Sequence, residues 1–248
     1  MRSAAAAIAW QFRQRHRWGL IAMGGYFFVI AAIKIVIAAR AQRVDLDDES
    51  FAFVVAVPLT ATFLYLLSVF SFGLSGDLAA RESMFPARMR TLPVTTAALA
   101  GWPMLYGGAA MAMLWLATRF LALWPSDVQV PVIWPALLAA SLLAWTQALT
   151  WMSYPSRGLR VIVTVLWLAT IDAIIMLALN LKASELVMLA ILAPHVPLAY
   201  LVARSAVARA RRGDVPELPG RFAGRIADVL PRPRVPFSSP ARAEQRRR

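Results

Sequence analysis

The chain alternates long apolar runs with short charged connections, and the runs are too long and too many for a soluble core. Six stand out, at about residues 18–39, 51–72, 97–124, 132–153, 161–181 and 186–203. Each holds about 18 or more mostly apolar residues, enough for a helix to cross a hydrocarbon layer roughly 30 Å thick. In lipid the backbone amides must bond within their own segment, so such runs are predicted as α-helices. The pattern predicts an all-α, polytopic membrane protein with six transmembrane helices.

Interruptions in the runs predict the irregular features. The third run has 28 residues and would reach about 42 Å as one helix. Gly101-Trp102-Pro103 and Gly107-Gly108 therefore predict a break or kink within it. Pro194 and Pro197 flank His195 near the middle of the last run and predict a kink there. Before the first run, residues 3–17 form a short alanine-rich segment. Ile8 and Phe12 share one helical face with Trp10 near them, and Arg13, Arg15 and Arg17 favour headgroups and water. That pattern predicts an interfacial helix.

The connection at residues 76–96 is the most structured polar stretch. Asp77, Leu78, Arg81, Glu82 and Phe85 fall at helical spacing, and Pro86 is expected to end that turn. Arg88, Met89 and Arg90 follow. A short helix parallel to the membrane fits this spacing. A connection whose arginines only enforce topology fits it too. Beyond Arg212 the chain is rich in Pro, Arg and Gly and too poor in apolar residues for a core. The predicted organisation is a six-span domain over 1–205 and a basic, disordered tail over 206–248.

Composition sharpens this picture. The 248 residues are 60% hydrophobic, with mean hydropathy +0.61 and a formal net charge of +13. The positive charge lies between and beyond the apolar runs, which indicates anionic lipid headgroups rather than nucleic acid. With the N-terminus inside, 21 of the 26 basic residues fall on the cytoplasmic side; without the tail the contrast is still 9 against 3. Both ends are therefore expected in the cytoplasm. The first run follows several arginines and is too long for the core of a cleaved signal peptide.

Candidate chemistry is sparse. There is no cysteine and there are two histidines, His16 and His195, which argues against a metal site. Lys34 precedes Ile35 and Lys182 precedes Ala183, so neither lysine belongs to a phosphate-binding GxxxxGK[ST] loop. HExxH and GxSxG are also missing. The expectation is a protein that is not an enzyme and holds no cofactor. Four polar residues lie in the spans as candidates for a transport pathway: Lys34, Gln147, Asp172 and His195. Each also has a structural reading. Lys34 can snorkel, Gln147 with Thr146 and Thr150 can bond between helices, Asp172 can be protonated or paired, and His195 can be satisfied at a kink.

The stretch SGDLAARESMFPARMRTLPVTTAALAGWPMLYG resembles the cytoplasmic loop and third span of permease subunits of type-two ABC exporters. That resemblance implies a coupling helix over Asp77 to Pro86, using Asp77, Arg81, Glu82, Phe85 and Pro86, with Arg88 and Arg90 flanking it. It further implies a separate ATPase subunit that binds ATP and Mg, and a second permease chain with substrate passing between the two. A bacterial inner membrane is implied as well. One departure is that only about four polar residues separate the last two runs, where such permeases often carry a re-entrant element. Two other functions remain open from the residues: a membrane scaffold recruiting a partner through its tail, and a proton-coupled transporter using Asp172 and His195.

Overall fold

A computed structural model describes residues 4–39, 57–71, 79–122 and 131–214, all within one compact unit, Met1–Val215. Asp77, the acidic connection at 45–49 and the tail from 215 lie outside the described residues. Among those described, the structure is helical and contains no strand. Five helices are long and apolar enough to cross a membrane.

The first helix, α1 (Ala4–Ala39), contains the amphipathic segment and the first apolar run in one element, broken only at His16 (φ −118°, ψ 16°). Ile8 and Phe12 are buried on one face, as their spacing predicts. Trp10 lies 57% exposed and does not join them, because a residue two positions away points to the far side of a helix. Next comes α2 (Val57–Ser71), apolar but with 15 described residues, about 22 Å. A four-residue helix, α3 (Ala87–Arg90), follows the connection, and α4 (Thr96–Ala117) runs on into one π-helical turn, Thr118–Ala122.

The expected break in α4 does not occur at its glycines and proline. Helix geometry continues through Pro103, and the irregular turn lies at the far end. Gly107 serves packing instead: a Cβ there would stand 2.5 Å from Leu143 Cδ2 and 3.1 Å from the Phe70 ring. Its missing side chain lets α2 and the next helix approach closely.

That next helix, α5 (Ile133–Trp151), is the centre of the bundle. The larger core cluster joins its Leu143, Ala144, Ala148 and Trp151 to α1, α2, α4 and the last helix. Its other side packs Trp134, Leu137, Leu138 and Leu142 against α6 (Leu159–Asn180) and α7 (Glu185–Leu192).

The last apolar run divides into two helices. The chain leaves α7 at Ala193-Pro194 and restarts as α8 (His195–Arg212). Proline opens a helix readily, since its fixed φ suits the first turn and its missing N–H is not needed there. The expected interruption is thus a two-residue one at Ala193-Pro194, both of which keep right-handed helical angles. The boundary drawn at 205/206 falls inside α8, where Ala206, Val207 and Ala210 are buried. With Ala199 and Ala203 they form a stripe of small residues that lets α8 lie close to α5 and α4. Gly213, at φ +77°, then ends the helix, its N–H donating to Ala210 O at 3.3 Å.

Candidate functional site

The end of the bundle where α2 and α5 finish and α4 and α6 begin holds nearly all the ordered polar structure. Its organising problem is the C-terminus of α5. The last carbonyls of a helix have no partner within it, and α5 ends beside apolar neighbours with little water to replace them. Residues 79–86 solve this by running alongside it. Met84 N donates to Thr150 O at 3.1 Å, and Ser83 Oγ donates to Trp151 O at 2.5 Å. Tyr154 N returns a bond to Arg81 O at 2.8 Å, and Gly158 N bonds Ala79 O at 3.1 Å. Gly158 has φ +77°, a left-handed conformation that glycine adopts without strain, and this aims its N–H at the connection.

The helix expected over Asp77 to Pro86 is therefore not what residues 79–86 form. The Met84 N–H and the Ser83 hydroxyl cap α5, and the Phe85 N–H bonds Ser83 Oγ rather than a carbonyl four residues back. Pro86 does not end a helix; it precedes the first turn of α3. Spacing of charged and apolar residues suggested helical periodicity, but an external demand for hydrogen bonds overrode it.

Three arginines from three elements hold the connection, Arg90 and Arg160 at residues 82–85 and Arg211 at residues 92–96, mainly through backbone carbonyls. Arg90 donates to Ser83 O at 3.1 Å and to Phe85 O at 2.9 Å. Arg160, in the first turn of α6 and 1% exposed, donates to Glu82 O and to Met152 O, the latter at 3.1 Å. Its guanidinium also lies 5.4 Å from the Tyr154 ring centre. Arg211, near the end of α8, donates to Val94 O at 2.8 Å, Leu92 O at 3.0 Å and Thr96 Oγ1 at 3.2 Å. Bonds from a charged donor contribute about 1.5–3 kcal/mol each, so this clamp outweighs the local preference of a short connection.

Trp151 forms the floor. Its indole N–H donates to Ser71 O at 3.2 Å, and its ring meets Phe85 edge to face at 5.2 Å. Phe85 and Met89 are both 1% exposed and anchor the segment in the main core. Above them Tyr154 donates its hydroxyl to Leu149 O at 3.1 Å, and burial raises its phenol pKa, opposed in part by the Arg160 charge.

The candidate residues of the connection thus divide by environment. Phe85 is buried, Pro86 is half-buried and Arg90 is bonded to its own loop. Arg81, Glu82 and Arg88 are exposed. Arg88 faces a cleft whose described walls are Trp10, Gln11 and Gln14 of α1. Sequence reading missed Arg160, Arg211, Ser83 and Trp151. In the sequence Arg160 and Arg211 stand only among the 21 basic residues assigned to the cytoplasmic side. The available signal was Arg160 inside the first turn of an apolar helix, where its headgroup must bond or be buried unpaired.

The pathway candidates are spread apart. Gln147 is fully buried; its amide nitrogen bonds Phe70 O at 3.0 Å and Pro103 O at 3.3 Å, tying α5 to α2 and α4. His195 accepts from the Trp145 indole at 3.1 Å through Nδ1. Asp172 lies exposed on α6, between Leu168 and Met176 in helical sequence, which are also exposed. No hydrogen bond or ion pair joins Asp172 to His195 among the described residues. Lys34 belongs to α1, but its side chain lies outside the described set. A further cleft of about 210 Å³ is apolar apart from Thr60 and is walled by Leu59, Phe63, Met111 and Trp115. Among the described residues no group of three or more His, Asp or Glu could hold a metal ion.

Comparison with protein-family models, with curated proteins and with solved structures returns no match.

Proposed function

We propose that this chain is the transmembrane subunit of an ATP-driven exporter, working beside a second permease chain and coupled through residues 79–95 to a separate cytoplasmic ATPase. The observation that carries the reading is the arginine-clamped connection. It is built from backbone bonds to α5, α6 and α8 at once, yet it turns Arg81 and Glu82 outward. A force applied there reaches three helices without first deforming a flexible loop. Adjacent opposite charges on a rigid surface suit recognition by a partner of matching charge pattern.

Six spans follow if the shorter apolar helix α2 is counted with the five long ones. The described arginines other than Arg119 gather at the end holding this connection, which supports a cytoplasmic side for it by the positive-inside rule; the reading carries with it the inner membrane of a bacterium. The ATPase binds ATP and Mg; this chain supplies the docking surface and half of the pathway. A second chain is favoured by α6, largely exposed along its length and carrying Asp172 at mid-span. A carboxylate facing lipid there costs several kcal/mol, and a neighbouring chain or a water-filled path removes that cost.

A photo-crosslinking side chain at position 82, introduced in native membranes, tests the docking claim. The expected product is an adduct with a P-loop ATPase that disappears when the crosslinker is moved to position 205 on α8. Failure to form the adduct, with the chain folded and inserted, removes the ATPase from the proposal. Deleting residues after 212 separates the scaffold reading, which requires the tail for partner binding.

A further inference from the structure

The cleft between α1 and α3 has a composition that the docking role does not use. Its described walls are Trp10, Gln11, Gln14 and Arg88, and its volume of about 370 Å³ is roughly a dozen water volumes. All four side chains carry N–H donors: an indole, two primary amides and a guanidinium. None of these donors has a partner among the described residues. That separates Arg88 from Arg90, Arg160 and Arg211, whose guanidinium groups are all bonded to backbone carbonyls. No carboxylate is among the described walls.

Position adds the second element. Ile8 and Phe12 bury one face of this α1 segment in the core, and the Phe12 ring lies tilted against Phe70 at the end of α2, ring centres 4.9 Å apart. The opposite face, with Trp10 at 57% exposure, is therefore turned outward at the level where the spans emerge. Tryptophan is favoured at the membrane–water boundary, and phosphates of lipid headgroups lie at that depth.

We infer that this cleft binds a phosphate group, supplied by the headgroup of an anionic phospholipid, with Arg88 as the charged donor and Trp10, Gln11 and Gln14 as neutral ones. A phosphodiester offers several acceptor oxygens to the four donors, and Arg88, the one cation among the described walls, matches its single charge. The acyl chains would lie along the exposed apolar side of α1, where Ile21 and Phe28 face outward. Such a lipid would bridge the N-terminal segment to the connection, stabilising the interfacial helix against α3. This site stands independently of the ATPase, because it uses Arg88 and α1 and leaves Arg81 and Glu82 free.

The test is titration of the full chain, in a neutral detergent, with dioctanoyl phosphatidylglycerol and separately with inorganic phosphate. Bound adducts are counted by native mass spectrometry. Arg88→Gln should weaken lipid binding by about tenfold or more, the loss expected for one charge-assisted contact. Gln14→Glu, which sets a carboxylate in the cleft, should weaken it comparably. Arg157→Gln removes an exposed arginine at the same end of the bundle and should leave binding within about twofold. Both cleft positions are exposed, so the variants should keep the wild-type unfolding midpoint, measured alongside. Inorganic phosphate binding as tightly as the lipid, with the same Arg88 dependence, keeps the site and assigns it a soluble phosphate. Lipid binding that ignores Arg88→Gln, or that falls equally with Arg157→Gln, overturns the proposal.

Discussion

The connection at residues 79–95 and the helix α6 meet at Arg160 but face opposite circumstances. In the connection, buried carbonyls find donors, apolar anchors sit in the core, and arginines from three elements lock the backbone. On α6 beyond its first turns, only a narrow strip that includes Ile171, Ile175 and Ala178 is buried. The rest is exposed and carries Asp172 without a partner among the described residues. One region pairs most of its polar groups within the described residues, whereas the other carries a mid-span carboxyl group with no partner among them. Polar groups near a membrane must be paired or hydrated, so the contrast separates structure that serves the chain's own folding from structure awaiting something outside it.

Substitution can test that contrast, and the largest effect belongs to the complete region. Arg160→Leu strips donors from Glu82 O and Met152 O while leaving both carbonyls in place. It should cost about 3 kcal/mol, seen as a lower unfolding midpoint in detergent. Hydrogen exchange should speed up at Met84 and Gly158, whose amides pair across the loop. Gln147→Leu comes next, at about 2 kcal/mol, because Phe70 O and Pro103 O lose a shared donor between α2 and α4. Unchanged midpoints in both variants would break the claim that this end is internally locked.

Tyr154→Phe should cost about 1 kcal/mol at neutral pH through the lost bond to Leu149 O. It also sharpens the account through pH. Burial raises the phenol above its ordinary value of 10.0, against a smaller opposing effect of Arg160. The folded state therefore holds that proton more tightly than the unfolded state does. The resulting stability is fully present below pH 10 and is lost as pH rises through the raised folded value. The wild type should lose stability more steeply above pH 10 than the phenylalanine variant, measured by unfolding midpoints across that range. The smallest effect on the isolated chain is expected at Asp172. Asp172→Leu should leave the stability of a detergent-solubilised monomer within about 0.5 kcal/mol, while self-association in lipid changes. A large loss of monomer stability would mean that Asp172 is satisfied within the chain after all.

Much of the architecture was legible because apolar run length is set by bilayer thickness. Runs three, four and five reappear as helices close to their expected bounds, and the first as the larger part of α1. Ile8 and Phe12 were also legible, since a four-residue spacing fixes one face. The connection was not. Asp77 to Phe85 carried a helical spacing, but whether its polar groups bond locally or cap α5 depends on a neighbour 68 residues away, as the bond from the Ser83 hydroxyl to Trp151 O shows. Gly107 was read as a breaker because sequence cannot show that Leu143 and Phe70 occupy its missing Cβ. Arg160 was counted as a topological charge for the same reason: its partners are carbonyls, which leave no mark in a sequence.

The measurement that bears most directly on the central claim is co-purification of ATPase activity with the tagged chain from its native membranes, compared with an Arg81→Glu/Glu82→Arg double variant. Both residues are exposed, so the variant should keep the wild-type unfolding midpoint. The account predicts a stoichiometric ATPase with the wild type and a loss of about tenfold or more with the reversed pair. A chain that arrives without an ATPase, or one whose ATPase is indifferent to the reversal, would contradict the role assigned to this loop.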